Sequence, residues 1–156
     1  MKYLRRICWT FAAIGMLLTA IVALGHHGSF GYDTNNRITL TGVITAVEIV
    51  NPHSFVFMDA KNESGKLEHW ALEGSAPTVL TRTGIVKDLK PGVLITITGF
   101  PQRDRSDRPG GLEKALAYSS RALDSLKTGH VLQVGDMKMP DGKTIRYGMG
   151  PTVAAQ

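Results

Sequence analysis

Apolar and polar positions alternate through most of the chain beyond residue 36, and this alternation predicts strands more often than helices. Residues 37–50 carry Ile38, Thr39, Thr41, Val43, Ile44, Thr45, Val47, Ile49 and Val50, β-branched side chains that suit a pleated, half-buried surface. Ile38 and Leu40 set the inward phase and Gly42 interrupts it, where a bulge or sharp bend is expected. A long first strand bent at a glycine is what a small closed barrel requires, since that strand must pair along both edges. Asn51-Pro52 breaks the run. A second strand is expected from about Ser54 to Asp59, then a polar hairpin loop over residues 61–66. The third strand, Leu67 to Glu73, puts Leu67, His69 and Ala71 on one face and Glu68, Trp70 and Leu72 on the other.

Ser75 and Pro77 are expected to open a short helix that Gly84 closes. Lys90-Pro91-Gly92 reads as a turn, and Val93 to Gly99 as a fourth strand. From Pro101 to Gly111 the chain is charged and loop-like. Leu112, Ala115, Leu116, Ser119, Leu123 and Leu126 then fall on one face of a helix spanning Leu112 to Lys127. His130 to Met139, the turn Pro140-Asp141-Gly142, and Lys143 to Tyr147 form a closing hairpin. The fold class is therefore mainly β: a small five-stranded OB-like barrel, with one short helix between strands three and four and an extra helix before the C-terminal hairpin. An antiparallel sandwich or half-barrel is the alternative.

The first residues change how the rest is counted. Lys2, Arg5 and Arg6 precede an apolar run from Ile7 to Leu24, which ends in Ala23-Leu24-Gly25. Cationic head, apolar middle and small-residue exit are the parts of a secretory signal peptide. Cleavage after Gly25 makes His26 the first mature residue, and an uncleaved membrane anchor is the alternative. The organisation expected is a signal peptide over 1–25, a lead-in over 26–36, an OB-like domain over 37–148 and a tail over 149–156, in a periplasmic or secreted protein. Losing residues 1–25 removes three cations and no acid, so the net charge falls from +5 to +2 over the remaining 131 residues. The basic balance thus belongs mostly to the leader, which weakens any argument for nucleic acid. The single cysteine, Cys8, leaves with it, so the exported domain has to be held by its core.

His26-His27-x-Ser29-Phe30, Leu40-Thr41-Gly42-x-Ile44, Asn51-Pro52-His53, Trp70-x-Leu72-Glu73-Gly74 and Leu89-Lys90-Pro91-Gly92 occur in this order. Together they resemble an uncharacterised family of exported bacterial proteins, the domain-of-unknown-function family 6152. Pro140-Asp141-Gly142-Lys143 resembles the family's ending, while Leu112 to Met137 holds residues beyond the family pattern. The resemblance implies a small periplasmic barrel and no established activity.

Candidate chemistry centres on histidine. A free α-amine beside the His26 imidazole can chelate a metal, and a second imidazole completes a T-shaped copper site. His26, His27 and His53 are the candidate metal ligands, and copper the candidate cofactor. A cut after Ala23 would instead place His26 third from the terminus, also a copper-binding arrangement. The plain alternative is a solvated terminus at His26-His27 and a turn at His53. Met137-x-Met139 with Trp70 suggests a copper(I) site, although methionines two apart more often pack a core. Glu68 and Glu73 face opposite sides of one strand, so they cannot form an acid–base pair. No phosphate loop, dinucleotide fingerprint or nucleophile elbow is present.

The expected function is a non-enzymatic binding or accessory domain with a surface at His53, Trp70 and Glu73. Its partner would be a small ligand, a metal ion or a periplasmic protein. The alternatives are a copper-binding or copper-delivery protein using the mature N-terminal histidines, and an oligonucleotide- or oligosaccharide-binding module. The membrane enters only through the leader.

Overall fold

The computed structural model describes Ser29, residues 31–104 and residues 111–151. The expected signal peptide, His26 and His27 lie outside the described residues, as do residues 105–110 of the charged loop and 152–156 of the tail. The elements run β1 (Ile38–Glu48), β2 (Phe55–Lys61), β3 (Leu67–Glu73), α1 (Pro77–Thr83), β4 (Leu94–Pro101), α2 (Gly111–Leu116), α3 (Ser120–Thr128), β5 (Val131–Lys138) and β6 (Thr144–Arg146). A short 3-10 turn, Ile85–Lys87, follows α1.

One sheet holds all six strands in the order β3-β2-β1-β4-β5-β6, and a parallel pairing of β3 with β5 closes the first five into a barrel. Strand one with strands two and four, three with five, and a helix between three and four is OB-like topology. β1 pairs with β4 over Ile38 to Val43 and with β2 over Gly42 to Glu48, so its middle is flanked on both edges. The irregularity in β1 falls between Ile44 and Ala46, just beyond Gly42. There the inward phase changes from Ile38, Leu40 and Ile44 to Val47 and Ile49, all on the barrel core. Gly42 instead permits close approach of β2, since a Cβ there would lie 2.4 Å from the Asp59 carbonyl oxygen.

The barrel core gathers Ile44, Val56, Met58, Trp70, Leu72, Ile95, Ile97, Leu132, Met137 and Tyr147. A second core lies on the outer side of the barrel wall, where Phe55, Phe57 and Ala71 meet Tyr32, Leu112, Leu116, Ala122 and Leu126. Residues of α2 and α3 thus cover the outer face of β2 and β3. The single helix expected over Leu112 to Lys127 is two helices. The Ser119 side chain accepts the Ala122 N–H at the start of α3, and a capping serine is a helix start, not an interior residue. The first helix also differs at its N-terminus. Its cap is Ala76 without a side-chain bond, not Ser75, while Gly84 closes it in the left-handed conformation as expected.

Candidate functional site

Past the N-terminal end of β2, His53 and Phe55 share the outward phase. Glu73, the last residue of β3, stands opposite Phe55 on one side and Gln133 of β5 on the other. The turn before β2 and the turn after β3 are tied together by two backbone bonds, Gly74 N–H to Ser54 C=O at 2.9 Å and Ser54 N–H to Ser75 C=O at 3.1 Å. The result is that His53 Nδ1 meets one oxygen of the Glu73 carboxylate. The Tyr32 hydroxyl donates to the other.

Glu73 is only 4% exposed, whereas the His53 side chain keeps 27% of its surface. A carboxyl group is costly to bury without partners, and Tyr32 and His53 satisfy it. The hydrogen bond to Glu73 raises the His53 pKa above its ordinary 6.5; burial opposes this and the Glu73 charge adds to it. Tyr32 is raised well above 10.0, first by burial and then by the charge and hydrogen bond of Glu73. With Nδ1 engaged, Nε2 is the ring nitrogen left free, and it has no hydrogen-bond partner among the described residues. The site is therefore one imidazole at the surface, aimed by a buried carboxylate.

Two further sets of contacts, from Tyr147 and from the lead-in, brace it. Tyr147, fully buried, donates to the Ser54 carbonyl at 3.2 Å and accepts the Ser75 N–H at its own carbonyl, 2.9 Å away. Burial raises its pKa first, and the Glu73 charge adds. Its ring lies against Gly74, where a Cβ would come within 2.4 Å of ring carbons. The lead-in crosses the same end of the barrel. Ser29 Oγ donates to Gln133 Oε1 at 2.7 Å, Arg103 Nε donates to the Tyr32 carbonyl at 2.9 Å, and Asp33 N–H bonds the Pro101 carbonyl at 2.8 Å.

Of the residues singled out in the sequence, His53 and Glu73 come together. Trp70 does not join them: one position out of phase with Glu73, it points into the barrel at 8% exposure, with its ring centroid 4.8 Å from that of His130. Its indole N–H has no partner among the described residues. Met137 and Met139 are buried in that same core, where they pack as ordinary apolar side chains. The remaining described histidines pair elsewhere, His130 with Glu68 at 3.6 Å and His69 with Asp59 across β2 and β3. Sequence reasoning missed Tyr32, Gln133 and Tyr147. A lone aromatic in an irregular lead-in carries no periodic signal, and Tyr147 read only as the end of a hairpin.

A model described as a family of unknown function (DUF6152) matches residues 15–112. That span includes Tyr32, His53 and Glu73 and ends before α3 and Gln133. No curated protein matches the chain. Among solved structures, the mitochondrial single-stranded DNA binding protein Rim1 of S. cerevisiae is similar over 72% of this chain and 97% of its own, with a TM-score of 0.40 and 9% identity.

Proposed function

Because the chain belongs to the family of unknown function DUF6152, we propose its role from the site alone: an exported, non-enzymatic binding domain that takes a transition-metal ion at His53 Nε2. One observation carries this reading, the buried Glu73 carboxylate engaging His53 Nδ1. A carboxylate on the far nitrogen fixes the tautomer and orientation of a ligating histidine and makes the free nitrogen a better donor. Export is supported by the cationic head, apolar run and small-residue exit of residues 1–25. The hydroxyl nearest the imidazole in sequence argues against an enzyme: Ser54 is buried and unpartnered, and it follows on the opposite strand phase.

The oligonucleotide alternative loses support from the chain's own architecture. Folds of this type take oligonucleotides on the outer face of strands two and three. Here α2 and α3 cover that face and bury Phe55 and Phe57, the aromatics that would stack on bases.

The test is zinc(II) titration of isotope-labelled mature protein, followed at the histidine ring signals, with the N-terminal residue confirmed by mass spectrometry. The His53 ring is expected to respond before those of His69 and His130. Glu73→Gln should weaken zinc binding about 10–100-fold, the usual cost of removing an outer-shell partner. A His53 ring that ignores zinc, with His69 or His130 responding instead, refutes the reading.

A further inference from the structure

Ahead of β1, residues 31–33 cross the end of the barrel outside the strand ladder, where Tyr32 makes an isolated bridge with Gln102. They form a strap fastened by a short set of bonds. The Asp33 N–H reaches the Pro101 carbonyl at 2.8 Å, the Arg103 N–H reaches the Gly31 carbonyl at 2.9 Å, and Arg103 Nε donates to the Tyr32 carbonyl at 2.9 Å. Gly31 lies flat on α2, where a Cβ would stand 2.7 Å from the Leu112 Cβ. A segment held by a few bonds outside the ladder opens at lower free energy than the barrel strands behind it.

The remaining fastening of the strap is at the site itself. The Tyr32 hydroxyl donates to one oxygen of Glu73, and the other oxygen engages His53 Nδ1. One carboxylate therefore joins the strap to the imidazole, and with the strap down that carboxylate is buried. Two effects of docking oppose each other. Two donors on one carboxylate share its charge, so each bond weakens the other slightly. Against this, Tyr32 fixes the carboxylate and keeps water from it, and a bond to a charged group is stronger where water is excluded. Because Glu73 is so thoroughly buried, the second effect is the larger.

We propose that residues 31–33 regulate the metal site: docking of the strap through Tyr32 raises the affinity of His53 Nε2 for its ion, and the bound ion holds the strap down. This rests on the reading of His53 above and deepens it. Such a coupling is reciprocal, because the factor by which the docked strap tightens the ion is the factor by which the ion tightens the strap. Tyr32 is a positioning residue that acts through Glu73 and contributes no ligand. Gly31 seats the strap on α2, and Arg103 clamps it from the end of β4. Occupancy of the site is thereby transmitted to the chain that precedes β1.

The experiment extends the zinc(II) titration to Tyr32→Phe, Gly31→Ala and Arg103→Ala, with amide hydrogen exchange recorded with and without zinc. Tyr32→Phe removes the hydroxyl alone. Gly31→Ala sets its methyl against Leu112, not against Glu73 or His53, and so lifts the strap without altering the site. Arg103→Ala removes only the bond to the Tyr32 carbonyl and replaces Gly31→Ala if circular dichroism finds that variant misfolded. Each change should weaken zinc at the His53 ring about fivefold, the low end of ordinary coupling between sites. Each should also move the ring nitrogen signals of zinc-free His53 toward those of Glu73→Gln, which a role confined to stability would not do. In wild type, zinc should slow exchange of the Asp33 and Arg103 amides by a similar factor, and in Tyr32→Phe by less. A wild-type His53 ring that ignores zinc refutes both the metal reading and the strap. A ring that responds, with all variants binding alike and the strap amides unmoved, leaves the metal reading standing and refutes the strap. Weakening by Tyr32→Phe alone makes the hydroxyl a local partner of Glu73 and likewise refutes the strap. Exchange slowed equally in β1 and in the strap is general stabilisation by a ligand and overturns the coupling.

Discussion

Glu73 shows how a single residue can organise a site that no local pattern announces. It sits where β3 ends, faces outward with Ala71, and is covered on that side by Tyr32 of the lead-in. His53 acquires its raised pKa from that carboxylate. The consequence for stability follows from the direction of the shift. A histidine whose folded-state pKa lies above 6.5 stabilises the fold fully below pH 6.5, and this contribution is lost as pH rises through the folded value. In metal-free protein, urea midpoints should therefore fall as pH rises upward from about 6.5. Glu73→Gln should flatten that slope and return the His53 pKa toward its ordinary value in a ring-signal titration. An identical slope in wild type and Glu73→Gln would show that the two side chains are not coupled in solution.

At the level of elements, the strands were legible and the helices between β4 and β5 only partly so. Alternation placed Trp70 and Leu72 on one face of β3 and His69 and Ala71 on the other, as observed, because a strand buried on one side has to repeat every two residues. The 112–127 segment satisfied a helical period throughout, yet its chain breaks after Leu116 and restarts at Ser119. Period alone cannot see this, since Leu112 and Leu116 of one helix and Ala122 and Leu126 of the next bury against the same outer core. The cap is what separates them. Ser119→Ala should cost about 1 kcal/mol, read as a lowered urea midpoint, with the barrel strands retained in circular dichroism. No change in midpoint would mean that burial of α3, not its cap, sets where the helix begins.

For the whole molecule, stability rests on two apolar cores sharing one wall, β2 and β3, with the barrel interior on one side and α2 and α3 on the other. Trp70 is the largest side chain on the inner side of that wall, packed with Ile44, Leu72 and Ile95. Trp70→Ala should destabilise the domain by about 3–5 kcal/mol, a large share of what a domain of this size possesses. An unchanged urea midpoint would show that the indole does not contribute to the core. The second core has a functional consequence as well. It covers the outer face of β2 and β3 and includes Tyr32, whose hydroxyl reaches the Glu73 carboxylate beside His53.

What the sequence determined by itself is local and periodic: strand phase, turn positions, the glycine that ends α1, the barrel class, and His53 and Glu73 as residues worth watching. Each follows from interactions between residues close in sequence or from burial of one face of an element. Tertiary structure alone decided that these two residues touch, that Trp70 belongs to the core and not to the site, and that Tyr32 and Tyr147 flank Glu73. Those relations join residues 20 to 93 positions apart. They arise from the closure of β3 on β5 and from the path of the lead-in, which are long-range pairings that hydrophobic period does not encode.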